Sequence, residues 1–127
     1  MNNTSKSLKE AAIDFLHLTT SGKIKEAYNQ YIAQDFKHHN PYFKGNRESL
    51  MKGMEENAKK NPNHSFEIKH ALQDGDMVAT HSHVVQKPGE PGIVAVHIFR
   101  FKDNYIVELW DLGMPAPKDN PNENGLF

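Results

Sequence analysis

The hydrophobic period of this chain changes once, near residue 64, and that change limits the folds open to it. Before it, apolar residues recur at helical spacing. Leu8, Ala11, Ala12, Phe15 and Leu16 define one face of a helix over residues 7–21. Ser7 with Glu10 three positions later fits a capping box, and Gly22 is a C-terminal stop. Ile24, Ala27, Tyr28, Tyr31 and Ile32 supply the face of a second, short helix. Residues 36–40 read as extended up to Pro41, because the residue before a proline avoids helix. Asn46 can cap a third helix with Leu50, Met51, Met54 and Ala58 on its apolar side, ended by Asn61-Pro62-Asn63.

Beyond residue 64 the period is two. Phe66, Ile68, His70 and Leu72 alternate with Glu67, Lys69 and Ala71, the pattern of a half-buried strand. Asp74-Gly75-Asp76 is a turn into a strand over residues 77–87, and residues 88–92 form a broad turn. Strands over residues 93–102 and 105–113 follow, joined at Asp103-Asn104. Helices first and antiparallel hairpins after them predict an α+β fold, with three N-terminal helices packed on a curved antiparallel sheet. A bent sheet covered on one face leaves a cavity between sheet and helices. The 127 residues suit one domain spanning 1–127, with 1–6 and 115–127 irregular and Leu126-Phe127 available to dock.

Composition removes several function classes. Without cysteine there is no disulfide, thiol nucleophile or Cys-ligated zinc. Fifteen Lys and Arg against sixteen Asp and Glu leave no basic stripe for nucleic acid. No segment is apolar enough to span a membrane, and Met1 to Glu10 is too polar for a signal peptide, so a cytoplasmic protein is expected. There is no Gly-x-Ser-x-Gly elbow, phosphate loop or dinucleotide fingerprint.

The chemistry lies in the histidines. His81 and His83, two apart on one strand, point to the same face, and pairing across the 88–92 turn brings His83 towards His97. Any one strand histidine is more often a surface or satisfied core group; three together favour a lined pocket. A metal site built from His81, His83, His97 and a carboxylate is conceivable, but no ligand spacing is diagnostic and no metal ligand is assigned. His39 and Asn40 precede Pro41, which stiffens the segment that presents them, although Asn and Pro are also ordinary loop residues. With Asp103-Asn104 as a two-residue turn, simple alternation pairs His97 with Trp110 and puts both on one face with Phe99. Asp111 then lies on the opposite face, and joins His97 only if one strand carries a bulge.

His39-Asn40-Pro41, His81-Ser-His83, Val96-His-Ile-Phe-Arg-Phe101 and Ile106-Val-Glu-Leu-Trp-Asp111 occur in the order found in the SnoaL-like polyketide cyclases, of the nuclear-transport-factor-2-like superfamily. The chain resembles that family over nearly its whole length. It is most similar to a bacterial subgroup of proposed aldol-condensation enzymes, in which a tail like Asn122-Glu-Asn-Gly-Leu-Phe127 also recurs. The resemblance implies a cone around a deep, mostly apolar cavity holding a small molecule. It also implies a homodimer formed through the outer sheet face. In the cyclases an Asp near the last strand is acid and base for a carbon acid, assisted by a His; Asp111 and His97 are the nearest counterparts. The expectation is cofactor-free acid/base chemistry on a small carbonyl compound. Its catalytic set is His97, Asp111, His83 and His39, and Trp110, Asn40, His81 and Phe99 contact substrate. The rivals are a protein that only binds a small molecule in the same cavity, and a His-ligated metal site.

Overall fold

The computed structural model describes residues 6–127. Residues 1–5 of the segment read as irregular lie outside the described residues. Helix α1 runs Leu8–Thr20, α2 Ile24–Tyr31 and α3 Arg47–Lys60; strands are β1 Ile32–His38, β2 Ser65–Asp74, β3 Met77–Val85, β4 Ile93–Lys102 and β5 Tyr105–Pro115. The capping box forms at α1. The Glu10 N–H donates to Ser7 Oγ (3.0 Å) and the Ser7 N–H donates to Glu10 Oε1 (2.9 Å). Gly22, at φ +83°, reverses the chain after α1, a conformation that strains any residue with a Cβ. Asn46 caps α3 by accepting from the Ser49 N–H at 2.9 Å.

The sheet order is β1-β5-β4-β3-β2. All neighbours are antiparallel except β1, which pairs parallel with β5. The expected antiparallel sheet therefore carries one parallel edge strand. The sequence hides it because α2 passes into β1 without a loop, and the polar run Gln34-Asp35 masks the alternation. The helices cover one sheet face. Phe15 of α1 and Tyr28 of α2 are fully buried, and Phe15 meets Phe99 of β4 edge-on at 6.1 Å. Each such aromatic, removed from water, contributes about 3 kcal/mol.

Two strands break the period of two. On β2 the pairing skips Lys69 between Ile68 and His70. Phe66 and Ile68 therefore face the helices, while His70 and Leu72, read as sharing their face, are exposed. On β5 the pairs Phe101↔Ile106 and Arg100↔Glu108 leave Val107 unpaired. The turn between β4 and β5 has the expected two residues, Asp103 and Asn104, at φ +52° and +68°, matching the mirror-image turn whose twist suits a hairpin. Bulges of this kind bend a strand as well as shift its register. β5 runs through Pro115, the chain after it is irregular, and Phe127 docks on the outer sheet face, stacked on His83 (4.1 Å) and His81 (5.7 Å).

Candidate active site

The Val107 bulge decides the site. With that residue unpaired, the register along β4 and β5 sets His97 opposite Asp111 and Ile98 opposite Trp110. Residues directly opposite share a face. Asp111 thus joins His97 on the helix-covered side and Trp110 turns outward, the reverse of simple alternation. His97 Nε2 stands 3.3 Å from Asp111 Oδ1.

Asn40 completes the group, and the loop after β1 explains its aim. His38 is buried; its Nδ1 accepts from the Asn40 N–H at 3.1 Å, and its Nε2 lies 3.4 Å from Ser49 Oγ on α3. Asn40 Oδ1 accepts from the Tyr42 N–H (3.0 Å), an Asx turn. The amide nitrogen is left to point inward, where Nδ2 donates to Asp111 Oδ2 at 2.8 Å. Asp111 is thus held at one oxygen by Asn40 and faced at the other by His97.

All three line a cavity of about 460 Å3 between the sheet and the helices, within the usual size range for a small-molecule site. Leu16, Leu50, Met54, Phe66 and Ala95 give it apolar walls. Exposed Tyr42 and Phe43 border it; Phe43 lies so close to Gly53 of α3 that a Cβ there would meet its ring at 2.5 Å. Burial pushes the His97 imidazole below its usual titration range, with the Asp111 charge opposing. Burial also lowers His38.

Of the residues expected to form the site, His97, Asp111 and Asn40 come together and the others do not. His81 and His83 share a face, as predicted, but it is the outer one, opposite Val96 and Val94. His83 lies opposite Val94, not beside His97, which pairs with Thr80. His81 Nδ1 contacts His70 Nδ1 at 2.9 Å, while His83 Nε2 reaches the Pro91 carbonyl (3.0 Å) and fastens the 88–92 turn. His39 follows inward-facing His38 and so points out, where it stacks on Trp110 at 5.0 Å and contacts Glu108 Oε2 at 2.6 Å. Phe99 faces inward but is sealed under α1 in the core, away from the cavity wall. Among the described residues no three His, Asp or Glu side chains converge on one point, so His81, His83 and His97 form no ligand set. His64, Asn57 and Gln86 line the cavity and lie outside the expected set. His64 sits in an Asn-Pro-Asn-His run that reads only as a helix stop, and nothing in that pattern signals a cavity residue.

A bent sheet covered by three helices, with a carboxylate, an imidazole and an amide converging inside an apolar chamber, defines a cone-shaped α+β cavity protein. The chain belongs to the SnoaL-like domain family, whose model matches residues 10–109. Solved structures share the fold. IdmH from Streptomyces antibioticus, described as a candidate polyketide cyclase, is 19% identical with a TM-score of 0.70, over 85% of this chain and 92% of its own. AclR from Streptomyces galilaeus, described as a candidate hydroxylase, is 21% identical with a TM-score of 0.71, over 84% and 88%. A nuclear-transport-factor-2-like protein of unknown function from Cytophaga hutchinsonii is 16% identical with a TM-score of 0.68, over 86% and 91%. A search of curated protein sequences finds no match. No helix among the described residues is long and apolar enough to cross a membrane.

Proposed function

We propose that this protein is a cofactor-free acid/base enzyme acting on a small carbonyl compound, in a cyclase or aldol-condensation type of reaction. The observation that carries the reading is the convergence of Asn40 and His97 on Asp111 in the wall of an apolar cavity. A protein that only binds its ligand has no need of a carboxylate held by a half-buried amide donor and faced by a buried imidazole. Asp111 takes a proton from the carbon beside a carbonyl, and the electron pair moves to the carbonyl oxygen. Asn40 Nδ2 carries a second hydrogen, a donor for that oxygen as charge develops on it. The enolate carbon then attacks a second carbonyl of the same molecule. A carbon–carbon bond forms, and the resulting alkoxide recovers the proton from Asp111. The apolar walls bring the two carbonyls together and keep water from the enolate.

The test works without the natural substrate in hand. A panel of small β-diketones and β-ketoesters is incubated in D2O, and exchange of the protons between the carbonyls is followed by NMR. The protein accelerates exchange for the compounds that fit, and Asp111→Asn lowers that acceleration by roughly a hundredfold or more. Equal exchange by the wild type, Asp111→Asn and His97→Ala removes the mechanism.

We propose further that two copies pair through the outer sheet face, where Leu72, Leu112 and Met114 are exposed. Light scattering giving a dimer mass that Met114→Lys and Leu112→Lys together reduce to that of a monomer supports this; a monomeric wild type refutes it.

A further inference from the structure

Three polar atoms behind the site have no hydrogen-bond partner among the protein atoms: His97 Nδ1, Thr80 Oγ1 and Ser82 Oγ. All three side chains are buried, at 8%, 2% and 0% relative exposure. They are neighbours. Thr80 lies directly opposite His97 across β3 and β4, and Ser82 lies opposite Ala95, two pairs further on, on the same face and therefore diagonal to His97. Directly opposite side chains on one face have Cβ atoms about 5 Å apart and diagonal ones about 7–8 Å apart. That is too far for most direct hydrogen bonds and suited to a bridge. Neither hydroxyl lines the cavity, whereas His97 does, so the three atoms mark the side of the imidazole that faces away from substrate.

We propose that Thr80 and Ser82 are positioning residues that hold one internal water against His97 Nδ1, and that this water fixes which ring nitrogen carries the proton. The inference deepens the reading of Asp111 and His97 as a catalytic pair and rests on it for its consequence, but not for its structural content. A buried water takes two to four polar partners, and three are present. Each hydroxyl can donate or accept, so the water can donate one hydrogen to the Nδ1 lone pair, donate the other to one hydroxyl, and accept from the second. Nδ1 then has no proton, and Nε2, which stands 3.3 Å from Asp111, carries it. The ring's basic lone pair is turned into the protein, away from the cavity. His97 therefore orients and steadies Asp111 through the dipole of its Nε2–H, and Asp111 is the group that exchanges protons with substrate. This division of labour cannot be read from the two residues alone; the hydroxyls on β3 impose it.

The test is 15N NMR of the His97 ring in the full chain, with Thr80→Val, Ser82→Ala, the double variant and Thr80→Ser. In the wild type Nε2 is expected to resonate as a protonated, pyrrole-type nitrogen and Nδ1 as a hydrogen-bonded, pyridine-type one, with a nuclear Overhauser cross-peak between a long-lived water and the Thr80 methyl. Thr80→Val, close to isosteric, and Ser82→Ala each shift Nδ1 towards the position of an unbonded lone pair. Thr80→Ser keeps it in place. Where the exchange assay gives turnover, Thr80→Val lowers kcat roughly tenfold with KM unchanged, and Thr80→Ser restores it. A proton on Nδ1 in the wild type overturns the proposal, as does an Nδ1 resonance that is the same in the wild type and the double variant. Because the NMR signature is read without substrate, absence of turnover with the expected signature counts against the enzymatic reading and leaves the water bridge standing.

Discussion

Replacing Asn40 by Asp changes one atom group at the centre of the site and gives a quantitative test of its electrostatics. The Asx turn survives, because a carboxylate oxygen can still accept from the Tyr42 N–H, 3.0 Å away in the wild type. The donor to Asp111 does not survive. An oxygen takes the place of Nδ2, 2.8 Å from Asp111 Oδ2. Two unit charges at that separation repel by about 6 kcal/mol at an effective dielectric of ~20, equivalent to roughly four units of proton affinity. The folded variant relieves this by keeping one proton shared between the carboxylates near neutral pH, where the unfolded chain keeps none. With about one more proton bound in the folded state, stability falls by about 1.4 kcal/mol for each unit of rising pH. Between pH 5 and pH 7 the variant should therefore lose about 3 kcal/mol relative to the wild type. Urea denaturation at constant ionic strength over that range measures it, with unchanged m-values showing that the folded state stays compact. If the stability difference between variant and wild type is independent of pH, no proton is taken up. The two side chains are then not held against each other, and Asn40 is not a partner of Asp111.

Burial that depresses His97 and His38 makes the fold lose stability as pH falls. Both are neutral in both states above the usual value of about 6.5, so their contribution to stability is complete there. As pH falls below it the unfolded chain gains protons first, and stability drops until the depressed folded values are reached; His97→Gln should reduce this slope, measured by denaturation between pH 5 and 7, by up to about 1.4 kcal/mol per unit. Gly53 inside α3 costs about 1 kcal/mol relative to alanine in helix propensity, but a Cβ there collides with Phe43. Gly53→Ala should therefore stabilise the chain by about that amount in a Phe43→Ala background and by measurably less in the wild type, a coupling that a double-mutant cycle of thermal or urea unfolding reads directly. Ser7→Ala removes the α1 capping box and should cost about 1 kcal/mol in the same assay, with Ser7→Asp close to neutral.

The helices and four of the five strands are legible in the sequence because each repeats its apolar residues at its own period. β1 is legible only at its end, where residues 36–40 read as extended; nothing separates its start from α2, so Ile32 reads as part of the helix face. The site is partly legible for a different reason. Alternation reports which residues share a face only while the count along both strands stays in step. One skipped residue on β5 inverted the expected places of Trp110 and Asp111, and one on β2 moved His70 and Leu72 outward. Neither bulge has a glycine or other marker at its position; Lys69 and Val107 are ordinary strand residues. Asn40 could be named from its place before Pro41, but its partner could not, since that depends on His38 and Tyr42 fixing the loop. The histidines of β3 show the limit most clearly. His81 and His83 do share a face, yet a pattern of two cannot say which face the helices cover. The hydroxyls of Thr80 and Ser82, which read as plain strand positions, lie on the covered one.

The unpaired Val107 makes the β4–β5 hairpin unequally tolerant of changes in length. Deleting that residue leaves every pairing from Arg100↔Glu108 to Ile93↔Pro115 available as it stands, because the chain loses the residue that had no partner. Adding a residue between Glu108 and Asp111 carries Asp111 to the outer face unless a second irregularity forms. In descent, a lineage can shed one residue here and keep its inward carboxylate, but it cannot gain one on the far side of the bulge without exchanging the chemistry of the cavity for that of the outer surface. Aligned by length alone, two such chains would match Asp111 of one to the wrong residue of the other; aligned by which side of the sheet each residue faces, they would agree.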